Sequence, residues 1–268
     1  MAEWISTKRA MEILGVGSTT IKRWTDENRL PFIRTPGGHR RFDRAIVERL
    51  LRGYSKSSHH KDAIDQWLVW LVDEDIGFVV TEIQKLRMQH ADWFQVAEFL
   101  GTVTREIGEQ WANGNFCIAE EHIASAKLRQ ALAATTVSLT VPAPAPTGLL
   151  ATVNGERHTL GLSLTQLCLR SAGISTVWIG AELPVDELIA YVRQANVQLV
   201  GLSASSWQTD YGSLASYYQA ISPVCKESSV ELILGGGGAW PDSIDHGFKC
   251  RSFSDLKIVL RQLKFASA

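Results

Sequence analysis

The sequence predicts a multidomain chain of mixed α and α/β class in three segments. Three observations lead there. A basic amino-terminal stretch holds two short helical patterns and a glycine-tipped hairpin. A proline-free middle has apolar residues at helical spacing, and in the last stretch short apolar strands alternate with helices. The 268 residues are 45% hydrophobic and 21% charged, an ordinary globular balance. No apolar run approaches the roughly 20 residues of a membrane span. The opening MAEWISTKRA lacks a signal-peptide core, so a cytoplasmic location without membrane contact is expected. Four scattered cysteines, Cys117, Cys168, Cys225 and Cys250, form no C-x-x-C pair. That argues against a zinc ribbon or disulfide scaffold and fits a reducing compartment.

Net charge is −1, but its distribution is uneven. Residues 1–60 hold twelve Lys/Arg against six Asp/Glu, and the rest of the chain holds fifteen against twenty-two. A basic module that meets a polyanion, joined to an acidic body with another task, is the implied arrangement. Within the module, Ser6 to Leu14 reads as a helix and Gly15-Val16-Gly17 as a tight turn. Ser18 opens a second helix through Glu27, which buries Ile21 and Trp24 and presents Ser18, Thr19, Lys22 and Arg23. A hairpin follows, tipped by Gly37-Gly38 and carrying Arg34, His39, Arg40 and Arg41. Short polar residues on the second helix suit a major groove, and the arginines suit phosphates. This stretch resembles the MerR-type winged helix-turn-helix, with Arg34 through Phe42 as the wing in the form GGHRRF.

Two polar or proline-rich stretches divide the chain. Gly53 to His60 reads as a linker, and Val141 to Gly148, which alternates proline and alanine, as a semi-rigid connector. The expected domains are therefore 1–53, 61–140 and 147–268. The middle one reads as a helical bundle, whose Trp67, Trp70, Trp93 and Phe94 are read as core. In the last, strands are expected at 149–153, 175–179, 199–203 and 230–234, and helices at 162–172, 185–194, 211–221 and 253–265. Such alternation implies a parallel sheet covered on both faces, with ligands at the carboxyl ends of the strands.

Those ends carry the chemistry. Glu156-Arg157-His158-Thr159-Leu160-Gly161 follows the first strand, Ser203-Ala204-Ser205 the third, and Gly235 to Gly238 the fourth. Glu156 is placed to hold one imidazole nitrogen of His158 and tune the other as a ligand. Forty-one residues separate Gly161 from Ser203. The set resembles the D-x-H-x-x-G, S-x-L, G-G signature of cobalamin-binding domains. It departs in Glu156 for aspartate and Ser205 for leucine. The resemblance implies a flavodoxin-like (Rossmann-type) domain in which His158 is the lower cobalt ligand. Gly161, Ser203, Ser205, Gly235, Gly236 and Gly237 would then line a slot for the displaced nucleotide tail. Neutral imidazole is a suitable donor for cobalt.

In the middle segment Trp111, Glu121 and His122 stand in a W-x9-E-H spacing. It resembles the upper-face motif of the CarH/LitR light-sensing repressors, and that resemblance runs along the whole chain. It implies a four-helix bundle whose indole covers the adenosyl group of adenosylcobalamin, with the carboxylate and imidazole as polar contacts. It further implies a photoreceptor repressor without enzymatic activity, a homotetramer on operator DNA in the dark that dissociates when light breaks the cobalt–carbon bond. Ala112 beside the tryptophan offers no second histidine ligand. Two other readings stay open: a corrinoid methyltransferase component, and a regulator that senses cobalamin or another tetrapyrrole without this switch.

Overall fold

The computed structural model describes residues 3–14, 16–26, 28, 30–35, 38–206, 210–263 and 265, with backbone alone at 51–59 and 211. Gly15, Glu27 and Gly37, read above as turn, helix end and hairpin tip, lie outside the described residues. The chain divides into two compact units, Met1–Gln66 and Trp67–Ala268.

The first unit contains β1 (Trp4–Ser6), α1 (Thr7–Leu14), α2 (Ser18–Asp26), β2 (Ile33–Arg34) and β3 (Arg40–Asp43). The strands form an antiparallel sheet in the order β1-β3-β2. Ile21 and Trp24 of α2 are buried with Ala10, Leu14 and Phe42, as the helical spacing predicts. The hairpin turns at Gly38, whose φ of +79° suits a residue without a Cβ. β1 is an addition to the expectation. Three residues give one alternation, too short a signal to separate from a helix start, and pairing of Ile5 with Phe42 makes it a strand.

α3 (Arg44–Asp73) runs through residues 53–60, which corrects the expected linker there. The stretch has no proline. Its one strong helix breaker, Gly53, costs only about 1 kcal/mol in a helix, so a polar composition alone does not end the helix.

The second unit joins a helical layer to an α/β layer. α4 (Ile76–Gln89), α5 (Trp93–Ala112) and α6 (Ile118–Val137) pack with the end of α3 as a four-helix bundle around Leu71, Ile83, Leu100, Ile107, Leu128 and Leu132. Asp75 and Asp92 cap α4 and α5 through the backbone N–H groups of Phe78 and Gln95. Trp67, Trp93 and Phe94 are buried, and Trp67 meets Trp70 edge to face at 5.6 Å, so these aromatics are core.

In the α/β layer, β4 (Thr147–Val153), β5 (Ser175–Leu183), β6 (Leu199–Ser203), β7 (Glu231–Gly235) and β8 (Phe248–Cys250) form one parallel sheet in the order β5-β4-β6-β7-β8. This is the flavodoxin-like order, whose switch point lies between the first and third strands, here β4 and β6. Helices α8 (Val185–Gln194) and α9 (Tyr211–Glu227) cover the sheet face presenting Leu149, Ala151, Val200, Leu202, Leu232 and Leu234. The other face meets α7 (Leu160–Ser171), and α10 (Phe253–Gln262) follows β8. β8 escaped the sequence reading because its three residues carry lysine between Phe248 and Cys250. α9 outruns its expected end because Pro223 is accommodated within the helix.

Candidate cofactor site and nucleic-acid interface

β4 ends at the switch point, and the chain turns through Gly155, φ +78°, before α7. That turn buries the Glu156 side chain, 2% exposed, beneath His158, whose side chain is 63% exposed. Glu156 Oε1 accepts the backbone N–H of His158 at 2.7 Å and lies 2.6 Å from its Nδ1. Oε2 accepts the backbone N–H of Ser205 at 2.7 Å, across the switch point. Burial alone would raise the Glu156 pKa. The hydrogen bonds from Ser205 and His158 together outweigh it and hold the carboxyl below its ordinary value. A carboxylate on Nδ1 selects the tautomer with its proton there, which leaves the Nε2 lone pair of the exposed ring free to act as a ligand.

The face of β4, β6 and β7 opposite α8 and α9 carries small residues toward its carboxyl end, whereas Leu150, Leu199 and Ile233 occupy it further down. Thr152, Gly201, Ser203 and Gly235 alternate with the apolar residues turned to α8 and α9. A Cβ at Gly161 would stand 3.7 Å from Ser203 Oγ, so the first turn of α7 and the end of β6 meet across little side-chain bulk. The glycine run has a different cause. A Cβ at Gly236 would lie 2.2 Å from the carbonyl oxygen of Ala204, and one at Gly238 2.6 Å from the Ala204 Cβ. These glycines let the β7 loop close on the β6 loop, whereas Gly237 is looser, 3.3 Å from Ser206 Cβ. A cavity of about 250 Å³ opens beside the run, lined by Leu234, Gly236, Gly237, Trp240, Cys250 and Arg251.

Where the bundle ends relative to this edge follows from its contacts. Lys257 on α10 pairs with Asp92 at the start of α5. One turn nearer the carboxyl edge, the N–H of Phe253 donates to Glu98, and Gly101 packs on the Phe253 ring. α5 therefore runs toward that edge. The ten residues from Gly101 to Trp111 carry it about 15 Å beyond. α6 returns antiparallel, and its far end is fixed where Arg170 of α7 donates to the carbonyls of Thr136 and Leu139. Trp111, Glu121 and His122 thus sit at the overhanging end of the bundle, on the same side of the sheet as the His158 loop. Trp111 is 43% exposed. Glu121 lies 2.5 Å from Nδ1 of His122 and accepts from Ser125 Oγ at 2.8 Å.

In the amino-terminal unit Ser18, Thr19, Lys22 and Arg23 are exposed along α2, as are Arg34 and His39 on the hairpin. Arg40 and Arg41 are half-buried. The Arg40 guanidinium stacks on Phe32 at 4.7 Å and donates to Thr25 Oγ1 at 3.2 Å, so it braces the hairpin against α2.

Gly201 and Thr152 were not picked out by motif reading. Gly201 alone carried a signal, since a glycine inside a strand marks a close approach, here the Leu150 side chain 2.7 Å from where its Cβ would stand.

The donor set fits cobalamin. It offers a carboxylate-oriented imidazole nitrogen, a small-residue sheet face beside it and an aromatic overhang above the same edge. No helix among the described residues is long and apolar enough to cross a membrane.

Residues 4–55 match the helix-turn-helix domain family and residues 146–243 match the B12 binding domain family. The chain thus joins a helix-turn-helix domain to a B12 binding domain. Among proteins of known role, it is 33% identical over 109 residues to the HTH-type transcriptional repressor CarH of Myxococcus xanthus, 40% of this chain and 35% of that protein. It is 28% identical over 96 residues to dimethylamine corrinoid protein 2 of Methanosarcina mazei, 35% of this chain and 44% of the other. The solved structure of the Methanosarcina barkeri monomethylamine corrinoid protein matches with a TM-score of 0.56 at 14% identity, over 75% of this chain and 99% of that one, a likeness of fold. The matched stretches span about a third to just over half of the curated relatives. The domain pair, with the repressor among the relatives, fits a CarH-like organisation.

Proposed function

We propose that this protein is a transcriptional regulator that binds adenosylcobalamin and operator DNA and is switched by light. The observation that carries the reading is the buried Glu156 carboxylate on Nδ1 of an exposed His158, in a chain that also bears a helix-turn-helix domain. In this reading 1–53 binds DNA, 61–140 caps the cofactor and 147–268 holds it. His158 Nε2 would hold the cobalt, with Glu156 keeping the ring proton on Nδ1. Gly161, Ser203, Ser205 and Gly235 to Gly237 border the space for the nucleotide tail. Trp111 covers the upper face with its indole, and Glu121 and His122 offer polar contacts there. When bound, adenosylcobalamin supplies a weak cobalt–carbon bond that visible light breaks. Trp111 and Glu121 would contact the adenosyl group, so its loss would leave the overhanging end of the bundle without this brace.

DNA affinity follows assembly. One module with Lys22, Arg23 and Arg34 near the phosphates binds weakly, and a tetramer presents several at an effective concentration that multiplies affinity. The test is a sizing column on full-length protein loaded with adenosylcobalamin. A larger species in the dark than after green light is expected, and equal sizes sink the light switch.

A second reading, a corrinoid carrier for methyl transfer, is favoured by the likeness to the dimethylamine corrinoid protein. The basic helix-turn-helix unit speaks against it, and so does the large indole of Trp111 where a methyl group needs little cover. Loss of all DNA binding in the cofactor-loaded protein would revive it.

A further inference from the structure

The His158 loop is fastened at a second point that lies outside the cobalamin signature. β5 pairs regularly with β4 as far as Leu150, then shifts register between Leu150 and Ala151 and again between Ala151 and Val153. Within this bulged stretch Glu182 takes a φ of +55°. A residue with a Cβ adopts that conformation in a strand only where its surroundings hold it. Three contacts do so. The Glu182 N–H donates to Thr152 Oγ1 at 3.0 Å, its carboxylate accepts from Arg157 Nε at 3.1 Å, and the carbonyl of Leu183 accepts from the Tyr217 hydroxyl at 3.0 Å.

Thr152 is fully buried, and its hydroxyl donates to the backbone carbonyl of Glu156 at 2.5 Å. One hydroxyl therefore accepts from the bulge and donates to the residue whose carboxylate orients the imidazole. The Arg157–Glu182 ion pair brackets the same loop from outside, but both side chains are largely in water, 81% and 41% exposed. Screening leaves that pair little weight. The buried hydroxyl is the stronger tie, since losing it strands the buried Glu156 carbonyl and leaves the part-buried Glu182 N–H without its partner.

We propose that Thr152 is a positioning residue for His158. It locks the Glu156 backbone to the β5 bulge, so that the carboxylate meets Nδ1 and Nε2 is held in one direction. This inference rests on the assignment of His158 as the lower cobalt ligand. A plain brace at the end of β4 would stabilise the fold without governing which nitrogen reaches the metal, and that difference is measurable.

The experiment uses full-length protein labelled with 15N-histidine and loaded with cob(II)alamin, read by electron paramagnetic resonance. A 15N-imidazole below cobalt splits each line in two, and the corrinoid's own unlabelled base splits it in three. Wild type is expected to show the two-line pattern. Thr152→Val should lose much of it and bind cob(II)alamin about tenfold more weakly, while Thr152→Ser, which keeps the hydroxyl, should retain both. If the valine variant does not fold, Thr152→Ala, which leaves room for water at the two stranded groups, carries the test. A hydroxyl-free variant with the two-line pattern and affinity intact, or a serine variant that fails as badly, overturns the proposal. A three-line wild type overturns the His158 assignment itself, and the proposal with it.

Discussion

Asp92, the residue that caps the amino terminus of α5, also holds the ammonium of Lys257 on α10, so one carboxylate joins the bundle to the α/β layer. Burial by itself would raise the Asp92 pKa. The hydrogen bonds from Lys257 and from the Gln95 N–H outweigh it and hold the carboxyl below its ordinary value of 3.8. A carboxyl whose folded pKa is depressed adds stability above its unfolded pKa and loses it as pH falls through the folded value. Asp92→Asn keeps a capping oxygen but forfeits the charge. At neutral pH the variant is expected to be less stable by about 1–2 kcal/mol. Melting curves across pH check this: the gap between the two proteins should close as pH drops below 3.8, and a gap that persists in acid would assign the effect to packing.

The glycines of the site divide by what surrounds them. Gly161 lies in the first turn of α7, where a Cβ would make only an ordinary contact with Ser203 Oγ at 3.7 Å. Gly161→Ala should fold normally and gain up to about 0.5–1 kcal/mol from the better helix former, while cobalamin affinity falls. Gly236, at φ +85° and against the carbonyl of Ala204, has no such room. Gly236→Ala should cost about 2 kcal/mol or more. Thermal melts beside cobalamin titrations separate the two. A Gly161→Ala protein that binds as wild type would remove this glycine from the tail space.

This division shows where the sequence was legible. The spacing from His158 through Gly161 and Ser203 to the glycine run is a linear pattern, and β4, β6 and β7 are short apolar runs that burial on both faces requires. Glu156 and His158 sit two residues apart, so their pairing was readable too. Gly236 reads identically as a ligand-facing or a loop-packing glycine, because only the approach of Ala204 distinguishes them. Thr152 carries no local mark, since its hydroxyl gains a role from a bulge thirty residues later in β5. The helix through residues 53–60 was hidden by a polar composition that suits a loop as well as a solvated helix.

Two basic side chains of the amino-terminal unit, Lys22 and Arg40, are expected to differ in kind. Lys22 is exposed on α2. Its change to alanine should weaken DNA binding evenly across sequences and reduce the salt slope by about 1, with thermal stability unchanged. Arg40→Ala should lower the unfolding temperature of the amino-terminal unit as well, because it removes the stack on Phe32 and the hydrogen bond to Thr25. The stack alone is worth roughly 1 kcal/mol. Arg40→Lys should not restore it, since a point ammonium lacks the planar fork. Salt titrations of binding and melts of the same variants give the answer, and an Arg40→Ala protein with wild-type stability would return this side chain to a purely phosphate-facing role.

Trp111 tests what the bundle's overhang is for. At 43% exposed, its indole is only partly packed against the bundle, so Trp111→Ala should cost about 1 kcal/mol of stability. If the indole covers an adenosyl group, alanine removes a flat apolar contact worth on the order of 1 kcal/mol, and adenosylcobalamin affinity should drop by about tenfold. Methylcobalamin presents no adenine to that face, so its affinity should stay the same. The ratio of the two affinities is thus more informative than either alone. Equal losses for both cofactors would mean that Trp111 shapes the end of the bundle without touching the upper ligand, and the choice of the adenosyl form would then have to come from Glu121 and His122.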